Sequence, residues 1–94
     1  MMKLLTITVP SYNSEAYLDR CMATLLPGGD EVEILIVDDG STDRTAEIAD
    51  KYERKYPNIV RAIHKENGGH GDAVTTGIRN ATGLFFNCLL YTSD

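Results

Sequence analysis

Four short β-rich runs alternate with three helix patterns along the chain, and this alternation limits its fold more than any other feature. The clearest run is Ile-Leu-Ile-Val at residues 34–37, a continuous apolar stretch typical of a strand buried on both faces. The other runs lie at residues 4–9, 59–64 and 84–86, and apolar residues at helical spacing fill the intervals. Strand–helix–strand units cross over right-handed into parallel sheets. The sequence therefore predicts an α/β fold: a Rossmann-like open parallel sheet with flanking helices, in the order β-α-β-α-β-α-β.

Local signals indicate where the elements end. Pro10 is predicted to end the first strand, and Asn13 or Ser14 to cap the first helix. Pro-Gly-Gly at residues 27–29 is predicted to stop that helix, and one of residues 41–43 to cap the second. In the third helix, four small or apolar residues are expected to face inward: Ala73, Gly77, Ile78 and Ala81.

Three unusual segments each follow a predicted strand. They are Pro-Ser-Tyr-Asn at residues 10–13, Asp-Asp-Gly-Ser at 38–41 and the glycine-rich residues 67–71. In open parallel sheets, ligands bind outside the carboxyl ends of the strands. Connectivity alone therefore places all three segments at one edge of the sheet, where a single shared pocket is the simplest interpretation.

The residue types in these segments suit a nucleotide. Tyr12 offers a flat aromatic face for a base. Asp38 and Asp39 offer acceptors for an imide N–H, a pair of ribose hydroxyls or a metal-bound water. The turn at residues 68–71 can bring backbone N–H groups to a diphosphate at a helix N-terminus, where the helix dipole also favours anions.

Each feature also has a structural interpretation. Tyr12 can pack at the rim of the first helix, and the acid pair can form a turn and a helix cap. Glu15 suits the first turn of a helix for electrostatic reasons. His64 and His70 are predicted to be polar residues at loop edges, neither ligands nor bases. The functional interpretation therefore depends on the three segments lying together.

Composition excludes several classes of function. Fourteen acids against nine bases give a net charge of −5, which argues against a nucleic-acid surface. The sequence lacks an apolar run of the ~20 residues that a membrane helix requires, and it lacks the apolar core of a signal peptide. Cys21 and Cys88 form neither a metal-binding spacing nor a disulfide framework. A cytoplasmic location is expected.

Two other nucleotide-type folds are disfavoured by particular residues. A phosphoacceptor receiver domain needs acids after its first strand and an aspartate after its third, where this chain has Thr8-Val9-Pro10 and His64-Lys65. A dinucleotide-binding oxidoreductase domain needs glycines after its first strand, and residues 10–13 contain none.

The three segments, in their order and spacing, resemble the motifs of family 2 glycosyltransferases. The first is Val-Pro-Ser-Tyr-Asn at residues 9–13, followed by Glu15. The second is Ile-Val-Asp-Asp-Gly-Ser-Thr-Asp at residues 36–43. The third runs from Glu-Asn-Gly-Gly-His-Gly at residues 66–71 to Gly83. The resemblance covers residues 3–87.

The resemblance implies a GT-A fold and transfer of a sugar, with inversion, from a nucleotide-diphosphosugar donor, most often UDP-linked, to an acceptor hydroxyl. By analogy Tyr12 stacks on the base, Asp39 accepts its N–H, Asp38 lies near the ribose, and Pro10 and Asn13 shape the loop. The donor-binding residues implied in full are Pro10, Tyr12, Asn13, Glu15, Asp38, Asp39, Gly69 and Gly71. No catalytic residue is assigned, and the acceptor (saccharide, lipid or protein) is open. The alternative is a non-catalytic nucleotide-binding homologue or another Rossmann-like nucleotide-binding domain.

The C-terminal residues depart from the family. The family's fourth strand leads to an Asp-x-Asp motif that holds Mg²⁺ or Mn²⁺, and this chain reads Cys-Leu-Leu-Tyr-Thr-Ser-Asp at residues 88–94 in that place. Those residues can be back-translated as TGT CTC TTA TAC ACA TCT GAC, which resembles the end of a transposase-based sequencing adapter. We therefore expect residues 1–87 to be the donor-binding half of a GT-A domain and 88–94 to be a non-native tail. The isolated chain is expected to bind nucleotide weakly or not at all and to lack transferase activity.

Overall fold

The computed structural model describes residues 3–83 and 85–88. Within them, four parallel strands form one sheet in the order β3-β2-β1-β4. The strands are β1 (Leu5–Ser11), β2 (Val32–Asp39), β3 (Val60–Lys65) and β4 (Phe85–Cys88). The helices are α1 (Leu18–Leu25), α2 (Thr45–Lys55) and α3 (His70–Asn80), with a 3-10 segment at Leu26–Glu31. The predicted β-α-β-α-β-α-β order and open parallel sheet are confirmed.

The larger core lies between the sheet and helices α1 and α2. Ile34 and Ile36 of β2 point to this side and are fully buried, together with Val9 from β1 and Met22 from α1. On the opposite face, Leu35 and Val37 pack with Ala73 of α3. All four residues of the apolar run at 34–37 are buried, which confirms that β2 is covered on both faces.

The first strand does not end at Pro10, as the sequence suggested, but continues to Ser11. β4 pairs only with Leu5–Thr8, so at Pro10 the described part of the sheet has a single neighbouring strand, β2. Proline is tolerated where a strand lies at a sheet edge, because its missing N–H then costs no ladder hydrogen bond. The extension carries the strand directly into the first of the three loops.

The predicted caps of α1 were wrong, and one predicted cap of α2 is observed in part. Neither the Asn13 nor the Ser14 side chain caps α1; the Ser14 hydroxyl donates to Tyr12 O instead. Asp43 acts at the start of α2, where its carboxylate accepts from the N–H and the hydroxyl of Thr45 (2.9 and 2.6 Å). These two bonds, with a third from the Glu15 N–H, lower the pKa of Asp43 against the opposing effect of burial.

Helix α3 presents a narrower face to the sheet than predicted. Ala73 and Gly77 are buried, but Ile78 is 55% exposed, so its inward assignment was wrong. One residue on a helix turns the side chain by about 100°, so Gly77 and Ile78 cannot both point at the same strand. Gly77 takes that position, because a Cβ placed there would lie 2.5 Å from Thr8 Cγ2.

A buried acid fixes the opposite, amino-terminal end of the sheet. Glu33 accepts from the Thr6 hydroxyl (3.0 Å), Arg61 Nη1 (3.2 Å) and Thr82 N (2.9 Å). Burial opposes ionisation of Glu33, but these donors outweigh it and lower its pKa. The cluster joins β1, β2 and β3 to the segment that leads into β4.

The predicted boundary between residues 87 and 88 falls inside a strand, since β4 runs to Cys88, paired with Thr8. Residues 89–94 of the expected tail lie outside the described residues, so the tail assignment stays a prediction. None of the helices in the described part of the chain is long and apolar enough to cross a membrane.

Candidate functional site

The three unusual segments lie at one edge of the sheet. Tyr12 and Asn13 directly follow β1, Asp38 and Asp39 are the last two residues of β2, and the segment from Glu66 to Gly69 joins β3 to α3. All three strands are parallel, so their carboxyl ends meet there. The predicted gathering of the segments is observed.

Hydrogen bonds join the first segment to the second. Asn13 Oδ1 accepts from Thr42 N (2.8 Å), and Asn13 N donates to the Ser41 hydroxyl (3.0 Å). Asn13 is also the one non-glycine residue with positive φ (49°) in the described residues, a conformation that asparagine tolerates better than most. Asn13 therefore links the loop after β1 to the loop after β2.

Glu15 contributes to the same junction through its backbone. Its N–H donates to Asp43 Oδ2 (3.2 Å), and the N–H of the preceding Ser14 donates to the Thr45 hydroxyl (2.8 Å). The Glu15 residue itself is exposed. Its observed contribution is to the shape of the loop, and its side chain remains available at the edge of the site.

The second segment is joined to the third through Asp39. Its carboxylate accepts from Gly68 N (2.9 Å) and Gly69 N (3.0 Å), and its carbonyl accepts from Asn67 Nδ2 (3.1 Å). Gly40 has φ +72°, and a Cβ there would lie 2.6 Å from Asn67 N. Only glycine fits this conformation at such close approach.

The acid pair is buried and is matched by a basic pair. Asp38 and Asp39 are each 4% exposed. In the strand register Asp38 lies opposite His64 and Asp39 opposite Lys65. His64 Nδ1 lies 2.9 Å from Asp38 Oδ2, and Lys65 Nζ lies 2.7 Å from Asp39 Oδ1.

Each of these pairs has a third member from a flanking helix. Lys65 also contacts Asp72 of α3 (2.5 Å), and His64 Nε2 lies 2.7 Å from Asp50 Oδ1 of α2. The two clusters, Asp38–His64–Asp50 and Asp39–Lys65–Asp72, lie on opposite faces of the sheet because successive strand residues alternate. His64 therefore contacts the acid pair on one face of the sheet and Lys65 contacts it on the other.

Sequence reasoning missed His64 and Lys65. His64 was predicted to end the third strand as a polar residue at a loop edge; it does lie near the end of β3, but its contacts with Asp38 and Asp50 were not predicted. A usable signal was present, because two acids ending one buried strand and two bases ending the next become neighbours once the strands pair in parallel. The exact register that brings them together was not readable from the sequence.

The charges of the two clusters shift several pKa values. Burial opposes ionisation of Asp39, but Lys65 and the Gly68 and Gly69 N–H groups outweigh it and lower the pKa of Asp39. Asp39 and then Asp72 raise the pKa of Lys65. Asp50 and then Asp38 raise the pKa of His64. Asp39 and Lys65 are therefore charged at neutral pH.

Tyr12 and the glycine turn complete the edge. Tyr12 is 48% exposed, one of the most exposed large aromatic or aliphatic side chains in the described residues. Gly69 (φ +94°) is the N-cap of α3, and the first helical bond runs from Ala73 N to Gly69 O. The Gly68 and Gly69 N–H groups donate to Asp39. The amides of residues 70–72, Gly71 among them, precede the first helical bond and have no partner within the helix.

The residues at this edge do not make a metal site. No group of three or more His, Cys, Asp or Glu side chains within residues 3–83 and 85–88 is arranged to hold a metal ion. The Asp38 and Asp39 carboxylates are instead taken up by the N–H groups and bases described above. No step of a reaction is therefore assigned to a metal held by these residues.

An open parallel α/β sheet with flanking helices, and with polar loops gathered at the carboxyl ends of its strands, defines the chain as a Rossmann-like domain. The model of the family "Glycosyl transferase family 2" matches residues 6–89 of the 94-residue chain. The chain belongs to glycosyltransferase family 2.

Curated relatives are similar over most of this chain. An uncharacterized glycosyltransferase, EpsJ of Bacillus subtilis, is 41% identical over 86 residues, which is 90% of this chain and 25% of the relative. The glycosyltransferase GlyG of Streptococcus pneumoniae is 41% identical over 87 residues, 90% of this chain and 29% of the relative. The chain thus spans about a quarter of the length of the curated relatives it matches.

Solved structures agree in fold. TarS 1–349 of S. aureus, also solved in complex with UDP-GlcNAc, superposes with a TM-score of 0.79 at 29% identity over 92% of this chain and 26% of TarS 1–349. The mannosyltransferase PcManGT of Pyrobaculum calidifontis, in complex with GDP-Man and Mn²⁺, has a TM-score of 0.74 at 24% identity over 87% of this chain and 25% of its own. The expected GT-A architecture is confirmed for the described part of the chain.

Proposed function

We propose that this chain is the donor-binding part of an inverting glycosyltransferase that moves a sugar from a nucleotide diphosphosugar to an acceptor hydroxyl. The observation that carries the proposal is the set of hydrogen bonds that joins the three motif segments into one edge of the sheet. Family membership and the similarity to TarS, solved with UDP-GlcNAc, support a nucleotide sugar as the ligand. UDP is the nucleotide we propose.

Exposed Tyr12 supplies the stacking surface for the base. Pro10 and Asn13 hold the loop that carries it, and Glu15 flanks the opening. The N-terminus of α3 faces the diphosphate, because the helix dipole and the amides before the first helical bond, that of Gly71 among them, favour anions. Gly69 contributes through the turn that positions these amides, since its own N–H is bonded to Asp39.

Asp38 and Asp39 are buried, so any contact with the donor must use lone pairs that protein groups leave unoccupied. Asp39 already accepts three hydrogen bonds, and Asp38 accepts from Ser41 N (3.0 Å) and contacts His64. A carboxylate offers about four lone-pair sites, so one further donor, such as a base N–H at Asp39 or a ribose hydroxyl at Asp38, can still be accepted. Each acid then both shapes the loops and contacts the donor.

Chemistry requires groups beyond this edge. Inversion needs a base that deprotonates the acceptor hydroxyl and a cation that stabilises the departing diphosphate, and Mg²⁺ or Mn²⁺ would supply the latter in the whole enzyme. The described residues fit neither role, so residues 1–87 are proposed to recognise the donor only, with the isolated chain inactive in transfer. A cytoplasmic location, where nucleotide sugars are made, is part of the proposal, and the acceptor stays open between saccharide, lipid and protein.

Nucleobase selectivity tests the proposal. Uracil in UDP-linked sugars and guanine in GDP-linked sugars carry a ring N–H that can donate to a carboxylate, whereas the corresponding ring nitrogen of adenine has no hydrogen and is an acceptor. Because the three loops are joined within this chain, we expect weak binding and not its absence. Saturation-transfer NMR with the 94-residue chain should show weak binding of UDP-GlcNAc that excess UDP displaces and that ADP-glucose does not. Equal displacement by NAD and ADP-glucose, or no binding of any nucleotide sugar, would contradict the proposal.

A further inference from the structure

His64 is placed between two carboxylates on different elements. Its Nδ1 lies 2.9 Å from Asp38 Oδ2 on β2, and its Nε2 lies 2.7 Å from Asp50 Oδ1 on α2. Carboxylates only accept hydrogen bonds, and a neutral imidazole carries a single N–H. Both contacts are satisfied together only when both ring nitrogens carry a proton.

We propose that His64 is a positioning residue of the nucleotide site: as an imidazolium it bridges Asp38 to Asp50 and thereby ties helix α2 to the buried acid pair. The link to the donor rests on the proposed function. The bridge itself rests on the geometry of three side chains. It holds Asp38 in the orientation in which Oδ1 accepts from Ser41 N (3.0 Å), in the same loop that is joined to Asn13.

The charged groups that contact His64 in the described residues come from two elements. They are Asp38 from β2 and Asp50 from α2, and both raise the pKa of His64 above its ordinary value of 6.5, Asp50 more strongly. On its own strand the neighbouring Lys65 points to the other face of the sheet, to Asp39 and Asp72. The imidazolium bridge therefore stabilises the folded chain fully below about pH 6.5, and this contribution is lost as the pH rises through the pKa of His64 in the folded chain.

Deprotonation changes the charge beside the proposed donor. The neutral ring keeps its N–H on Asp38, because leaving a buried carboxylate without that donor is the costlier choice. The Asp50 side chain is 45% exposed and can turn to water. The cluster then carries one more net negative charge beside an anionic diphosphate, so we expect affinity for the donor to fall about fivefold.

Ring titration tests the bridge without any ligand. NMR titration of the 94-residue chain should give a His64 midpoint above the ordinary value, with the signal assigned by its loss in His64→Gln. Asp50→Asn should lower that midpoint. Glu47→Gln, which removes an exposed acid on the same helix that pairs with Arg44, should leave it unchanged. An equal midpoint in Asp50→Asn and the unchanged chain would overturn the proposal.

Binding of UDP-GlcNAc at a series of pH values tests the link to the donor. Its diphosphate is esterified at both ends, unlike that of UDP, whose terminal phosphate titrates near pH ~6. The fall in affinity should move to lower pH in Asp50→Asn, vanish in His64→Gln and persist in Glu47→Gln. Binding that is independent of pH would refute the positioning role. If no donor binds at any pH, the proposed function fails, and the ring titration alone decides whether the bridge exists.

Discussion

Tyr12 is held in place by its neighbours while its own ring stays open. The Ser14 hydroxyl donates to Tyr12 O (3.2 Å), and Asn13 is anchored to Ser41 and Thr42. The Tyr12 residue is 48% exposed. A large aromatic side chain on a fixed backbone loses little conformational freedom when it stacks on a ligand, which favours a binding role over a packing role.

Replacement of Tyr12 by alanine should weaken binding of UDP-GlcNAc about tenfold, because stacking on a base contributes roughly 1–3 kcal/mol. Tyr12→Phe keeps the ring and should stay within about twofold of the unchanged chain. Ligand-observed NMR measures both, and thermal unfolding checks that neither variant has lost its fold. Equal loss in the two variants would assign the contribution to the hydroxyl and contradict the stacking role.

The sequence predicts a strand well where a continuous apolar run shows that both of its faces are buried. It does not predict contacts that depend on how two strands are aligned with each other. Residues 34–37 are apolar without interruption, and a strand covered on both faces is the one parallel-sheet environment that requires this. The predicted end of the first strand at Pro10 was wrong, because a proline interrupts a strand only where a neighbouring strand needs its N–H, and β4 does not extend as far as Pro10. The pairing of His64 and Lys65 with the acid pair depends on the β2–β3 register, and a shift of one residue would place them on the opposite faces.

Close packing of α3 on β1 can be tested with two glycines of the same helix. A Cβ at Gly77 would lie 2.5 Å from Thr8 Cγ2, so Gly77→Ala should destabilise the chain by about 1–3 kcal/mol despite its gain in helix propensity. Gly71 has nothing within 4 Å of such a Cβ, so Gly71→Ala should be neutral or stabilising by up to about 1 kcal/mol. Urea unfolding measures both. A stabilising Gly77→Ala would show that α3 does not pack this closely.

The two ends of the sheet are built differently. At the amino-terminal end Glu33 is 5% exposed, and its hydrogen bonds join β1, β3 and the segment before β4. At the carboxyl end the acids lie beside exposed loops, glycines with positive φ and an open tyrosine. At the amino-terminal end the polar groups of the Glu33 cluster are hydrogen-bonded to one another. The carboxyl end retains acceptors, amides and an aromatic face that a ligand can contact.

At the scale of the whole molecule, the proposed donor binding requires the loops at the carboxyl ends of the strands to act as one binding surface. Amide chemical-shift mapping of the 94-residue chain with UDP-GlcNAc tests this most directly. The expected result is that the largest shifts fall together on residues 12–13, 39–41 and 68–71, with little change around Glu33 and Thr82 at the other end of the sheet. Shifts confined to a single loop, or centred on the Glu33 end of the sheet, would contradict it.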